Sequence, residues 1–563
     1  MRRSVPCPCR PLGRRLAVLA ALLVGLAVAP AASAHAILVS ATPDNATVVA
    51  QAPKAVTLTF SESVETAFGA VRVYDSQARR VDTGKILRPA STQVGSNLEA
   101  GLADGTYTVT WRVVSADSHP VHGAFVFSIG TPSGDGQGVA AAVQGAGTPA
   151  SVGVLRTVFR ALGFGLILLV LGGTLLLIWL LPPEAEVRTR LWLAVSWTAA
   201  LLVPVALAAI VLQGASAGGF GLGHALRGEV IATVLDTRFG KVWLAQAAGA
   251  ALLAILTQLV PRARWHQAAC LGLALWLAVS PGAAGHAQAT SAFSFALDAI
   301  HVVAASAWIG GLGALVAALA LAGAGQRRGL AAAVVPRFST LALGAVAVLL
   351  VAGVTNGYLQ VRAWHGLWDT RYGVLLLVKA GLVLGLLLFG ALHRLRTVPC
   401  LRAATAAGGE AAARAARRFL TLACTELAVA AGVVVVTALL VASPPARSVI
   451  APSGPAAVTA PIGPLQLNLV VDPARSGPNQ IHVYLLQANG QPASADEVVL
   501  KASLPSAGIG PLDFRGTVAG PGHFVFAGAT LPLPGSWSLR VEARQGEFDL
   551  YTAIVSIRVA RAG

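Results

Sequence analysis

Residues 163–181 read GFGLILLVLGGTLLLIWLL, nineteen consecutive residues without a charge. As an α-helix this stretch covers about 28 Å, close to the hydrocarbon thickness of a bilayer. It therefore predicts a membrane-crossing helix. Comparable apolar segments lie near 157–181, 191–213, 242–260, 266–283, 297–322, 338–360, 373–392 and 419–442, eight in all. The composition of the 563 residues agrees, with 55% hydrophobic and only 12% charged residues, and a mean hydropathy of +0.70. A soluble chain carries roughly a quarter charged residues, so disorder, coiled coil and an ordinary soluble protein are excluded.

The net charge of +17 is explained by its placement. With the N-terminus outside, the loops that fall inside carry Arg188, Arg190, Arg262, Arg264, Arg327, Arg328, Arg337, Arg394, Arg396, Arg402, Arg414, Arg417 and Arg418. The outer loops carry only Arg227, Arg238, Lys241, Arg362 and Arg371. Thirteen against five, alternating loop by loop, is the positive-inside pattern of eight spans in a cytoplasmic membrane. Both termini then lie on the extracytoplasmic side, and no nucleic-acid partner is required.

Outside the spans the hydrophobic period changes to two. Val56, Leu58 and Phe60 alternate, as do Tyr107, Val109, Trp111 and Val113, and later Leu465, Leu467, Leu469 and Val471. The expected architecture is a multidomain membrane protein: an N-terminal all-β, immunoglobulin-like sandwich over 35–130, a linker over 131–152, an eight-helix transmembrane bundle over 153–445, a linker over 446–462 and a second all-β sandwich over 463–563. Residues 1–34 have a basic start, an apolar run and the ending Ala32-Ser33-Ala34, the layout of a signal peptide. Cleavage after Ala34 exposes His35, whose α-amine and ring together form a chelate suited to Cu(II).

The single methionine is the initiator, and the cysteines at 7, 9, 270, 400 and 424 form no cluster. Any metal site must use His, Asp, Glu and backbone. Two groups qualify. The first is Asp117-Ser118-His119-Pro120, where Asp and His two apart on an extended chain point the same way and could share a metal with His35; His122 follows. The second comprises His286, Asp298 and His301, with Trp308 two turns further along the same helical face. Ionisable groups at membrane depth are costly and are functional or internally paired, so these three are candidates for a transport pathway, although Asp298 could instead orient His301. Lys379 and Glu426 are the other ionisable residues well inside the segments, starting from opposite faces.

These residues carry a resemblance. His35-Ala36, Thr59-Phe60-Ser61-Glu62, the run Gly105 to Trp111 and Asp117-x-His119-Pro120 resemble the CopC copper-binding domain. That resemblance implies Cu(II) held by His35, Asp117 and His119, without the Met-rich Cu(I) site of some relatives. Thr237-Arg238-Phe239-Gly240, Thr370-Arg371-Tyr372-Gly373, Lys379, Glu426 and the Asp298 to Gly311 segment resemble the CopD copper-resistance membrane domain. The C-terminal part, with Leu531 to Trp537, resembles a YtkA-like domain. The function implied is non-enzymatic copper capture and transport across the membrane, import favoured, with copper ions and lipid as partners. Two other readings stand beside it: a delivery or assembly factor for exported cuproproteins, and a membrane oxidoreductase with copper or haem; an exported cuproprotein or a reductase is the further partner expected.

Overall fold

The computed structural model describes residue 36 and residues 38–44, 47–66, 70–116, 120–131, 149–259, 263–284, 291–400, 403, 409–447, 456–487, 491–546 and 549–560. The N-terminal part is a β-sandwich of nine strands: β1 Leu38–Thr42, β2 Val48–Val49, β3 Ala55–Phe60, β4 Val64–Glu65, β5 Val71–Tyr74, β6 Asp82–Ala90, β7 Gln93–Leu98, β8 Gly105–Ser115 and β9 Pro120–Ile129. One sheet runs β1-β3-β7-β6 and the other β2-β9-β8-β4, with β5 also paired to β8. Alternate residues Val56, Leu58, Phe60, Val109, Val113 and Phe127 fill the space between them. Trp111 lies cross-strand from Gly123, where a Cβ would run into the indole ring, so the glycine makes room for the tryptophan. Asp82 is buried and accepts hydrogen bonds from Arg80 Nε (2.9 Å) and Nη2 (2.6 Å), Val73 N–H and Gly84 N–H. Burial alone would raise this carboxyl, but these donors hold it below the usual range.

Eight helices are long and apolar enough to cross a membrane. They are Ala150–Leu180, Val187–Gly218, Arg238–Gln258, Arg264–Ala284, Ala292–Leu321, Gln326–Val361, Arg371–Cys400 and Arg414–Val441, called here spans 1 to 8. Several run past the apolar segments. Span 6 begins well before residue 338 because Arg327 is tied to the end of span 5, donating to the carbonyls of Leu319 and Ala322. Spans 1 and 5 are the most enclosed, and span 7 is the most peripheral.

Spans 1 and 5 cross at two glycine pairs. A Cβ on Gly172 would run into the backbone of Gly310, Gly311 and Ser306, and one on Gly310 into the carbonyl of Leu168. The contacts are reciprocal, each glycine meeting its opposite number and the residue four positions before it. A second repeated device opens spans 3 and 7. Thr237 and Thr370 each accept a hydrogen bond from the backbone N–H three residues on, that of Gly240 (3.2 Å) and Gly373 (3.0 Å). Both glycines are required by the close pass of the short helix before the cap, Gly228–Asp236 in one case and Gly366–Asp369 in the other. The bundle is thus two halves of four spans with matching entry turns.

The C-terminal part is a second β-sandwich: β10 Ala456–Ile462, β11 Leu465–Asp472, β12 Gly477–Leu486, β13 Glu497–Leu504, β14 Ile509–Arg515, β15 Thr517–Gly520, β16 His523–Leu531, β17 Gly535–Gln545 and β18 Asp549–Val559. Its sheets, β10-β11-β12-β16-β15 and β14-β13-β17-β18, enclose Trp537, Phe526, Leu467 and Val541. Each sandwich touches an even-numbered loop of the bundle. Glu65 accepts from the N–H of Arg238 at 3.1 Å, and Arg558 faces Asp369 at 3.9 Å.

Candidate functional site

His35, Asp117, His119 and His286 lie outside the described residues. Strand β8 ends at Ser115 and β9 begins at Pro120, with Val114 opposite Pro120. Asp117 and His119 fall, in sequence, between these two paired strands. Beside it β4 pairs Glu65 with Val114, and Glu65 is the residue that meets the start of span 3. The paired ends of β8 and β9 thus belong to the part of the sandwich that contacts the bundle. His122 is exposed on β9 opposite Arg112; partial burial and that guanidinium both lower its basicity.

Within the bundle, Asp298 and His301 lie together on the α-helical first part of span 5, both half-buried. His301 is seated against span 6, where Gly353 leaves room for the imidazole: a Cβ there would stand 3.2 Å from the ring Cε1. Its buried Nδ1 makes no hydrogen bond. Lys379 of span 7 lies within electrostatic reach of both Asp298 and His301. The opposing starts of Lys379 and Glu426 leave a pairing between them open at the level of sequence; in the structure no ion pair between them occurs among the described residues, and Lys379 lies within electrostatic reach of Asp298.

The helical period places Trp308 in line with Asp298 and His301, and here the structure differs. Residues Ser306–Gly310 form one π-helical turn, packed on Gly172 of span 1. The wider turn shifts the phase of the helix beyond it. Trp308, buried, lies within reach of the Glu426 carboxylate of span 8.

Glu426 also lies 3.5 Å from His393, measured from Oε2 to Nε2. The apolar run stops at Leu392, so sequence reading ends span 7 one residue short of this histidine. The helix instead continues to Cys400 through another π-helical turn, His393–Thr397. His393 is buried against the edge of Phe419, and neither ring nitrogen makes a hydrogen bond. A separation of 3.5 Å is what two ligands at about 2.1 Å subtend at a tetrahedral centre. One imidazole and one carboxylate can therefore hold a cation here, with further ligands from outside the pair. No group of three or more His, Cys, Asp or Glu side chains with metal-ligand spacing occurs among the described residues.

The two clusters stand about 15 Å apart along span 5, Asp298 and His301 toward its start, Trp308 with Glu426 and His393 toward its far half. Among the described residues, the first half of the bundle carries no counterpart. Arg160 and Gly163 stand relative to Gly172 where Asp298 and His301 stand relative to Gly310. Arg160, which sequence reading passed over, donates to the carbonyl of Ala438, while Arg156 donates to Gln213 and Ser216. Both guanidiniums line a cavity of about 250 Å³, an environment hostile to a metal cation.

Comparison with known proteins meets this geometry. The family described as "CopC domain" matches residues 38–130, "Copper resistance protein D-like, N-terminal domain" matches 151–296, and "Copper resistance protein D" matches 332–440. The copper transport protein CutJ of Bacillus subtilis is 34% identical over 396 residues, 67% of this chain and 71% of that protein. The inner membrane protein YebZ of Escherichia coli is 30% identical over 211 residues, 37% of this chain and 69% of YebZ. Among solved structures, CopC from Methylosinus trichosporium OB3b is 33% identical, covering 17% of this chain and 95% of its own, with a TM-score of 0.16. The chain belongs to the copper resistance and transport family that joins a CopC domain to a CopD membrane domain, the family of CutJ.

Proposed function

We propose that this chain captures Cu(II) outside the cytoplasmic membrane and moves copper inward across it, serving copper homeostasis and resistance. The observation that carries the reading is that copper-family domains make up both the N-terminal sandwich and the bundle of one chain. In this reading His35, Asp117 and His119 hold the incoming ion. The contact of Glu65 with Arg238 keeps that part of the sandwich at the bundle. His286, Asp298 and His301 receive the ion, and Glu426 with His393 forms the next station. Carboxylates at both levels, Asp298 half-buried and Glu426 buried, offset the cost of a cation in a low-dielectric interior. Copper is cargo, and the chain acts as a transporter rather than an enzyme.

The test is cell-associated copper in a copper-limited host expressing the intact chain, His35→Ala or His301→Ala at equal levels. Intact protein raises intracellular copper and both variants lose the gain. Unchanged or lower copper with the intact chain rejects import and leaves delivery to an exported cuproprotein, or export.

A further inference from the structure

The C-terminal sandwich carries a pair of histidines with no part in the path above. His482 and Tyr484 lie two apart on one face of β12, and His523 on β16 is the cross-strand partner of Tyr484. All three rings stack. His523 and Tyr484 are 4.3 Å apart between ring centres at 13°, and His482 and Tyr484 6.3 Å apart at 9°. His482 Nδ1 stands 3.0 Å from His523 Nε2. The three side chains are half-buried, on the face of the sheet opposite the core residues Ile481, Val483 and Phe524.

Two imidazole nitrogens 3.0 Å apart subtend nearly a right angle at a metal bound about 2.0 Å from each. That is the cis arrangement of a tetragonal centre, which suits Cu(II) or Ni(II); a linear two-coordinate ion needs its donors about 4 Å apart. Among divalent first-row ions, nitrogen sites favour copper most strongly. Stacking against Tyr484 holds both rings in place before any metal arrives, which lowers the ordering cost of binding.

We propose that His482 and His523 form a second Cu(II) site, in the C-terminal domain, with the ion bound cis through Nδ1 of His482 and Nε2 of His523 and its other equatorial positions open. The site exists whether or not the bundle moves copper. Two protein ligands make it an exchangeable site, suited to holding copper briefly for a partner that supplies the remaining ligands. In the metal-free pair the 3.0 Å contact is a hydrogen bond between the rings, so one of the two nitrogens carries a hydrogen that shifts to the other nitrogen of its ring when Cu(II) binds.

The test uses the full-length chain carrying His35→Ala, which removes the expected N-terminal chelate, titrated with Cu(II) and followed by electron paramagnetic resonance. One axial Cu(II) signal with superhyperfine splitting from two imidazole nitrogens is expected. Adding His523→Gln or His482→Gln removes one equivalent of bound Cu(II), while the wild-type N-terminal site, tested in the His523→Gln single variant, still binds its own. A His35→Ala protein without a two-nitrogen signal overturns the proposal on the unaltered pair, independently of whether the glutamine variants fold. Equal stoichiometry with and without His523 overturns it as well. Because the readout is binding, it is separate from the import assay: failure of import leaves this site standing, and failure here leaves import untouched.

Discussion

At the scale of single residues, two buried carboxylates do opposite things. Asp82 of the N-terminal sandwich is saturated by Arg80 and two backbone N–H groups, a structural role. Because its folded pKa is depressed, its contribution is present above the unfolded value and is lost as pH falls through the folded one. Asp82→Asn is expected to cost about 2 kcal/mol at pH 7, with the difference from wild type shrinking below about pH 4; urea unfolding of the N-terminal domain at pH 7 and pH 3 measures both. Glu426, by contrast, has a tryptophan and a histidine without hydrogen bonds beside it, and no guanidinium or ammonium pairs with it among the described residues. An unsaturated carboxylate is what a transient cation needs. Glu426→Gln and His393→Gln are each expected to lower copper uptake at least about tenfold, the loss expected on removal of a metal-holding contact. Cu(II) bound by the N-terminal domain should be unchanged. Uptake at wild-type rate in either variant removes the inner station from the path.

At the scale of elements, the bundle is held by close backbone approach rather than by polar contacts. Lipid tails are as apolar as leucine, so helices associate where small residues allow tight packing. Gly172 and Gly310 supply that contact between spans 1 and 5, and it also fixes the π-helical turn that brings Trp308 within reach of Glu426. Gly310→Val is therefore expected to do two things at once: lower the thermal unfolding midpoint of the detergent-solubilised protein and abolish uptake. The entry turns are separable from this. Thr237→Ala or Thr370→Ala removes one cap hydrogen bond, with an expected cost of about 1 kcal/mol and no loss of copper specificity. A thermal unfolding series with all three variants distinguishes the two kinds of damage.

At the scale of the whole molecule, the N-terminal sandwich meets the bundle through Glu65 and the first turn of span 3. Glu65→Ala should leave Cu(II) binding intact but slow delivery to the bundle, seen as slower uptake at low copper and recovery at high copper. Much of this organisation is legible in the chain alone. Period-two alternation marks both sandwiches, and uninterrupted apolar runs with the arginine balance mark eight spans, because burial against a core and burial in lipid each impose their own pattern. Asp298 and His301 are legible for the same reason, as polar residues where the pattern forbids them. His393 is not, since a histidine just past an apolar run looks like a helix end; only the π-helical continuation of span 7 carries it inward. Nor can spacing show that Trp308 leaves the face of His301, that Glu426 faces His393 and not Lys379, or that His482 and His523, forty-one residues apart, stand 3.0 Å from each other. The sequence by itself determined the kinds of element and the membrane they cross, because hydrophobic periodicity is a local property. Which polar groups meet was decided only in the tertiary structure, because helix phase and strand register are set by packing between segments distant in the chain.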